Sequence, residues 1–572
     1  MEHKPDNRIC VNCKKDFIIK TDDFSFYEKI KVPPPTFCPE CRQMRRMSFR
    51  NERNLFRRKC DKTGENIISI FTPNSPYKVY SRSYWDKDGI DLMMYGREFD
   101  FSKTFFEQFN DFMLDVPWPS LRVGSSENCE YNNDMSRSKD CYMCTRTHFS
   151  ENMTYVYRGN KSRNCLDCMQ VVKSSDSLYE CVECINCSNS RYLYFCENCS
   201  DSNFLSYCKN CLDCFMCSNL KNKQYCFKNK QLSKEEYKNL VSEYNLGSNS
   251  IKEKAISDFS EINKKTIRKY LNIVNSPRCS GDNIMNCNNS TSCFGVKNTE
   301  NVKYLWDVME YKDSMDAYSG GRNSQLVYEC TATAAAYNCS FCVRASDSSD
   351  ISYSMRVKNS RNLFGCIGLE NNEYCILNKQ YTKEEYEELV PKIIEHMKRN
   401  KEYGEFFPMN LSTYEYNETV AQEYFPLSKD EVLAKGLKWN DPIKKNYDIT
   451  IESKDLPDNI GEIKDEILDE IIGCGHAGNC NHGCSTAYRI IKQELDYYRR
   501  MNLSIPRLCP NCRHYGRLGK LNPLKLWHRS CMCHDQNHSH GDKPCKVEFE
   551  TSYAPERPEI IYCEKCYQQE VY

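Results

Sequence analysis

Two stretches near opposite ends of the chain carry the same cysteine arrangement, and nothing else in the sequence constrains the fold as strongly. The first reads Cys10-x2-Cys13 followed by Cys38-Pro-x-Cys41-Arg; the last reads Cys480-x3-Cys484 followed by Cys509-Pro-x-Cys512-Arg. Counted from Cys38 and from Cys509, further residues match at equal offsets: Phe26-Tyr27 with Tyr497-Tyr498, Pro35 with Pro506, Asn51 with Asn522, Leu55 with Leu526, and Cys60 with Cys531. That many shared offsets imply an internal duplication.

A close cysteine pair forms a knuckle, because the turn aims both thiolates at one point. Two knuckles give the S4 tetrahedron that zinc favours. The sequence therefore predicts one site from Cys10, Cys13, Cys38 and Cys41, and a second from Cys480, Cys484, Cys509 and Cys512. Cys474 is an alternative to Cys480, with His476 spare beside it. A third site is predicted from Cys531, Cys533, Cys563 and Cys566. In the N-terminal copy of that third site only Cys60 survives, with Ser81 and Tyr84 at the places of the last pair. The expected load is about three zinc ions per chain. A histidine-rich insert with His534, His538, His540 and Cys545 reads as a solvated loop that could still donate a ligand.

The 38 cysteines sort by region. The start of the chain has no apolar secretory core, and no run is long and apolar enough for a membrane helix. A cytoplasmic location is expected, where dense cysteine signals metal ligands or small buried hydrophobes rather than disulfides. Between 177 and 230, short aromatic or aliphatic runs alternate with cysteine and with Asn, Ser or Asp turns. Such punctuation predicts many short strands stacked as a solenoid with cysteine ladders inside. Zinc held by the densest run, Cys181 to Cys217, is the alternative. The centre is itself duplicated, since 214–241 returns as 363–390 with far fewer cysteines. Both copies end in a capping-box signature, Ser233 with Glu236 and Thr382 with Glu385.

The predicted fold is multidomain and mainly β: a duplicated β-solenoid-like centre with helical spacers, flanked by zinc-ribbon or treble-clef modules. The expected segments are a zinc module with a basic helix (1–84), an aromatic-rich helical cap (85–122), a cysteine-rich solenoid copy (123–231), a helical spacer (232–276), a second copy (277–380), a helical or irregular spacer (381–473) and a double zinc module (474–572). The cap, with Phe105, Phe109 and Phe112 on one face, is expected to close the first copy's open end.

After each Cys-Pro-x-Cys comes a basic stretch. Arg42, Arg46, Arg50, Arg53 and Arg57 fall on one face of a projected helix, and Arg513, Arg517 and Arg529 belong to the C-terminal equivalent. Guanidinium forks suit phosphate, so these residues are candidate nucleic-acid contacts. A solvated face, or pairing with acids elsewhere in a chain of zero net charge, is the alternative.

The segments 37–64, 99–109, 506–513 and 553–572 resemble long, cysteine-rich zinc-ribbon proteins of small-genome candidate-phylum bacteria. That resemblance implies zinc and a cytoplasmic location. No phosphate-binding glycine loop, HExxH motif or nucleophile elbow is present, and closed S4 sites lack the open position catalysis needs. The expected function is a non-enzymatic scaffold binding structured RNA through its basic helices. A protein-interaction scaffold is the first alternative, and a thiol-redox or sulfur-handling protein the second.

Overall fold

The structure, a computed structural model, describes residues 4–87, 90–170, 179–182, 187–441 and 447–571. It is multidomain and mixed α/β, with many strands in parallel sheets. Helices share the end modules with strands, and strands make up the central stacks. The chain divides into two compact units, and each joins sequence-distant halves: Met1–Leu121 with Leu271–Asp441, and Arg122–Tyr270 with Pro442–Tyr572.

Each unit contains a stack of parallel rungs whose usual step is twelve residues, with single rungs of eleven or thirteen. In one, Lys139 pairs with Glu127 and Glu151, and Glu151 with Arg163. In the other, Gly281 pairs with Cys293, Phe294 with Trp306 and Trp306 with Tyr318. Every third residue turns into the left-handed region, as at Asn198, Asp201, Phe204, Tyr207 and Asn210. A rung is thus four three-residue sides, each about 10 Å long at strand rise. Left-handed backbone costs an ordinary residue about 1–2 kcal/mol, and Asn and Asp least. Asn and Asp accordingly recur at the corners, where Asn198 donates to Asn210 (3.2 Å) and Asn210 to Asn222 (3.0 Å) on successive rungs.

So narrow a coil has room for one inward side chain per side, most of them small, which accounts for the central cysteines. Cys196, Cys199, Ser202, Leu205, Cys208, Cys211, Cys214 and Cys217 follow the triplet period and are each at most 1% exposed. The thiols also satisfy backbone carbonyls: Cys217 Sγ donates to Phe215 O (3.2 Å) and Cys226 O (3.4 Å), and Cys342 Sγ to Ser340 O (3.3 Å) and Ile351 O (3.5 Å). Serine does the same work, with Ser202 Oγ donating to Ser200 O at 2.7 Å. Burial pushes Cys293 and Cys217 up to about 12, and Cys196, Cys339 and Cys342 well above the usual thiol range. Cys211 goes the other way, because S–H groups of Cys199, Cys208 and Cys214 surround it. Cys184, part of the dense run, lies outside the described residues.

Both stacks finish alike. An antiparallel turn pairs Cys226 with Gln231 in one and Cys375 with Gln380 in the other. A capping box then opens a helix, Ser233 before Lys234–Ser242 and Thr382 before Lys383–Arg399. The aromatic helix Phe105–Asp115 packs on the second stack rather than the first: the Phe105 ring lies 5.2 Å from Tyr353 and 5.7 Å from Phe364.

Candidate metal centres

The end modules are built from one local plan used four times: a β-hairpin with a cysteine at its tip, then a helix or turn, with the second cysteine pair present in three of the four. The hairpins are Asp6–Ile9 with Asp16–Ile19, Phe56–Lys59 with Asn66–Ser69, Ile472–Gly473 with Ala487–Tyr488, and Trp527–Ser530 with Glu548–Thr551. Just inside each tip the first cysteine's N–H closes the turn: Cys10 onto Lys15 O (2.9 Å), Cys60 onto Glu65 O (2.8 Å), Cys474 onto Thr486 O (2.8 Å) and Cys531 onto Val547 O (2.9 Å). The third ligand position then donates its N–H to that first sulfur. Cys38 donates to Cys10 (3.3 Å), Cys509 to Cys474 (3.3 Å) and Cys563 to Cys531 (3.2 Å).

This shared frame fixes the quartets. Cys10, Cys13, Cys38 and Cys41 come together as expected, with all four sulfurs within 4.8 Å of one another. The second quartet is Cys474, Cys484, Cys509 and Cys512. Cys474 therefore replaces Cys480, because the strand leading into the turn ends at Gly473, opposite Ala487. The third quartet is Cys531, Cys545, Cys563 and Cys566. Here Cys545 replaces Cys533, since the hairpin pairs Ser530 with Glu548 across the whole insert. Cys480 and Cys533 instead join histidines, in the groups His476–Cys480–His482–Cys512 and Cys533–His538–His540–Cys566. Counted from Cys509, Cys484 keeps its offset, standing as far before it as Cys13 stands before Cys38; Cys474 and Cys545 keep none, because their turns are longer.

The third cysteine of each quartet starts a helix or precedes one, where free N–H groups favour a thiolate. The Cys41 thiol first of all, and backbone N–H next, hold Cys38 down at about 5. The Cys474 thiol does the same for Cys509, at about 4. For Cys563, N–H and S–H donors from Cys566 outweigh burial and lower it too. Thiolate-rich tetrads with imidazole alongside suit a tetrahedral, borderline-soft ion such as zinc.

The arginines lie elsewhere than expected. The helix after Cys38 spans only Pro39–Met47, because Asn51 starts a turn by accepting from Asn54 N–H (2.9 Å) and donating to Ile70 O (2.9 Å). Arg42, Arg46 and Arg50 are at most 1% exposed, and Arg513 and Arg517 at most 5%. They point into the protein, and all but Arg50 reach carboxylates at the corners of rungs. Arg42 meets Asp316 (2.9 Å), Arg46 meets Glu329 (2.8 Å) and Asp316 (3.2 Å), and Arg45 bridges Glu329 (2.9 Å) and Glu405 (2.9 Å). In the other unit Arg513 meets Asp167 (2.9 Å) and Glu494 (3.0 Å), and Arg517 meets Asp167 (2.9 Å). Although burial opposes it, Arg45, Arg46 and Arg42 hold Glu329 below the usual carboxylate range. Arg50 pairs with Glu52 at 2.7 Å.

These five arginines are therefore corrected from candidate nucleic-acid contacts to internal ion pairs. Arg53 is half-buried with Glu423 3.7 Å away, Arg57 lies exposed in the strand Phe56–Lys59, and Arg529 donates to Ala554 O at 3.3 Å. Asp167, Asp316, Glu329 and Glu494 were missed from sequence. Single acids at scattered corners carry no spacing signal; only Glu494, at the same offset from Cys509 as Asp23 from Cys38, was traceable.

No protein-family model matches the chain, and no curated protein matches it. Among the described residues no helix is long and apolar enough to cross a membrane.

Proposed function

We propose that this chain is a non-enzymatic, zinc-binding scaffold of the cytoplasm. In this reading zinc-held knuckle modules brace two β-solenoids, which offer their outer faces to a protein partner. One observation carries it: in both units the knuckle helix is fastened to rung corners by buried arginine–carboxylate clusters. A helix spent in this way braces the stack and has no guanidinium face left for phosphate. The quartets are closed S4 sets, which suits structure rather than catalysis. The free cysteines suit a reducing compartment. An open trough of about 690 Å³ along the second stack, lined by Tyr337, Ser349, Asn359, Arg361 and Glu373, offers mixed polar contacts of the kind protein partners use.

The test is a pair of measurements on full-length protein purified under reducing conditions. Zinc should be present, and its chelation should abolish cooperative unfolding. Titration with structured RNA at low salt should show no binding; binding with a steep salt slope would return the reading to nucleic acid.

A further inference from the structure

We propose that the two C-terminal knuckles are binuclear, each holding two metal ions bridged by one thiolate, Cys512 in the first and Cys566 in the second. This rests on the reading of the quartets as zinc sites.

The N-terminal knuckle supplies the comparison. Cys10 and Cys13 are separated by two residues, and the turn brings no other donor. The same frame in the C-terminal module is stretched, with nine residues between Cys474 and Cys484 and thirteen between Cys531 and Cys545. Each stretched turn returns three further donors, two imidazoles and one thiol, to the fourth cysteine of its own quartet. His476, Cys480 and His482 gather on Cys512; Cys533, His538 and His540 gather on Cys566. Two unlike loops thus arrive at the same set, one Cys and two His plus a shared Cys. Seven donors exceed what one tetrahedral ion can take, but divide into four and four when one thiolate is shared.

The imidazoles are arranged as ligands. The Nδ1 atoms of His476 and His482 are buried without a hydrogen-bond partner, a cost that a metal would remove. The Cys480 and Cys512 sulfurs are 3.7 Å apart, and those of Cys474 and Cys512 3.9 Å, so Cys512 has a neighbour on either side. In the last knuckle His538 Nδ1 and His540 Nε2 lie 3.1 and 3.3 Å from Cys533 Sγ. Their outer nitrogens are held by Glu570 (3.4 Å) and by Lys543 O (2.7 Å), the outer-shell support that orients a ligating histidine. Charge favours the pair as well. One dication in four thiolates leaves a net charge of −2; a second dication with one further thiolate leaves −1.

Elemental analysis of the reduced full-length protein decides it. Five zinc ions per chain are expected. Three would overturn the bridged pairs while keeping the quartets, and one or none would overturn the zinc reading itself. The double variant His476→Ala/His482→Ala should fold and lose one ion, whereas Cys512→Ser should lose two. An unchanged count in the histidine variant would sink the proposal. Exchange with cadmium-113 should give two resonances per C-terminal knuckle that split each other through the shared sulfur; unsplit lines would rule out the bridge.

Discussion

The backbone N–H of Ser81 donates to the sulfur of Cys60 at 3.2 Å, the same contact that Cys38, Cys509 and Cys563 make in the metal-binding knuckles. Thr63 stands where Cys13 stands, three residues after the first cysteine, and Ser81 and Tyr84 stand for the second pair. The frame outlasts the ligands because its hairpin and turn are fixed by backbone hydrogen bonds. The triple variant Thr63→Cys/Ser81→Cys/Tyr84→Cys should therefore bind one more zinc ion per chain than the parent protein. Elemental analysis of the two proteins side by side checks this, and an equal count would show that the frame has drifted too far.

Asp167 serves two buried guanidinium groups at once, Arg513 and Arg517, both at 2.9 Å. Removing one partner of a buried ion pair leaves an uncompensated charge and costs about 3–5 kcal/mol. Asp167→Asn should lower the unfolding free energy of its unit by about 3–5 kcal/mol and leave the zinc content unchanged. Urea unfolding followed with metal analysis separates this from loss of a metal site.

The inward cysteines of the stacks predict a steep size dependence. Ser190 and Ser202 already occupy inward positions and donate to the carbonyl two residues before (2.7 Å each). Cys208→Ser should therefore cost about 1 kcal/mol or less, the scale of one hydrogen bond. Cys208→Leu should cost about 1–3 kcal/mol through overpacking. Thermal melts of the two variants should keep that order, with the metal count unchanged in both.

Glu418 gives one pH-dependent contribution a definite sign. Burial, and then the Glu415 carboxylate, push it up to about 9, against two compensating donors, Asn440 Nδ2 at 2.7 Å and the Glu415 backbone N–H. Its folded value lies above its unfolded one, so the stabilising contribution is complete below about 4.5 and is lost as pH rises towards about 9. The limiting slope is about 1.4 kcal/mol per pH unit. Glu418→Gln keeps the acceptor for Asn440 and removes the titration. Its melting temperature should exceed the parent's by more at pH 8.5 than at pH 6.5; a constant difference would count against a protonated Glu418.

Cys38-Pro-x-Cys41 and Cys509-Pro-x-Cys512 were legible in the sequence because a knuckle is a local object: a few residues determine where its sulfurs point. The capping boxes at Ser233 and Thr382 were legible for the same reason. Which cysteine completes a quartet was not. That choice depends on hairpin register, Gly473 with Ala487 and Ser530 with Glu548, which skips over whichever thiols lie in the loop. The spacing of Arg42 and Arg46 showed a shared helix face, but the helix stops at Met47, before Arg50, and the face turns inward onto Asp316 and Glu329, more than 250 residues away. Cysteine every third residue was visible as density; its meaning as a triplet-period wall needed the left-handed corners.

The pairing of each end module with the more distant stack has a consequence during synthesis. Residues 1–84 leave the ribosome long before Asp316 and Glu329 exist, and the second unit waits for the final segment, Pro442–Tyr572. Domains otherwise complete themselves in order as the chain emerges. Here the guanidinium groups of Arg42 and Arg46, which the finished protein hides, belong to the surface of the nascent chain until about 270 further residues have been added.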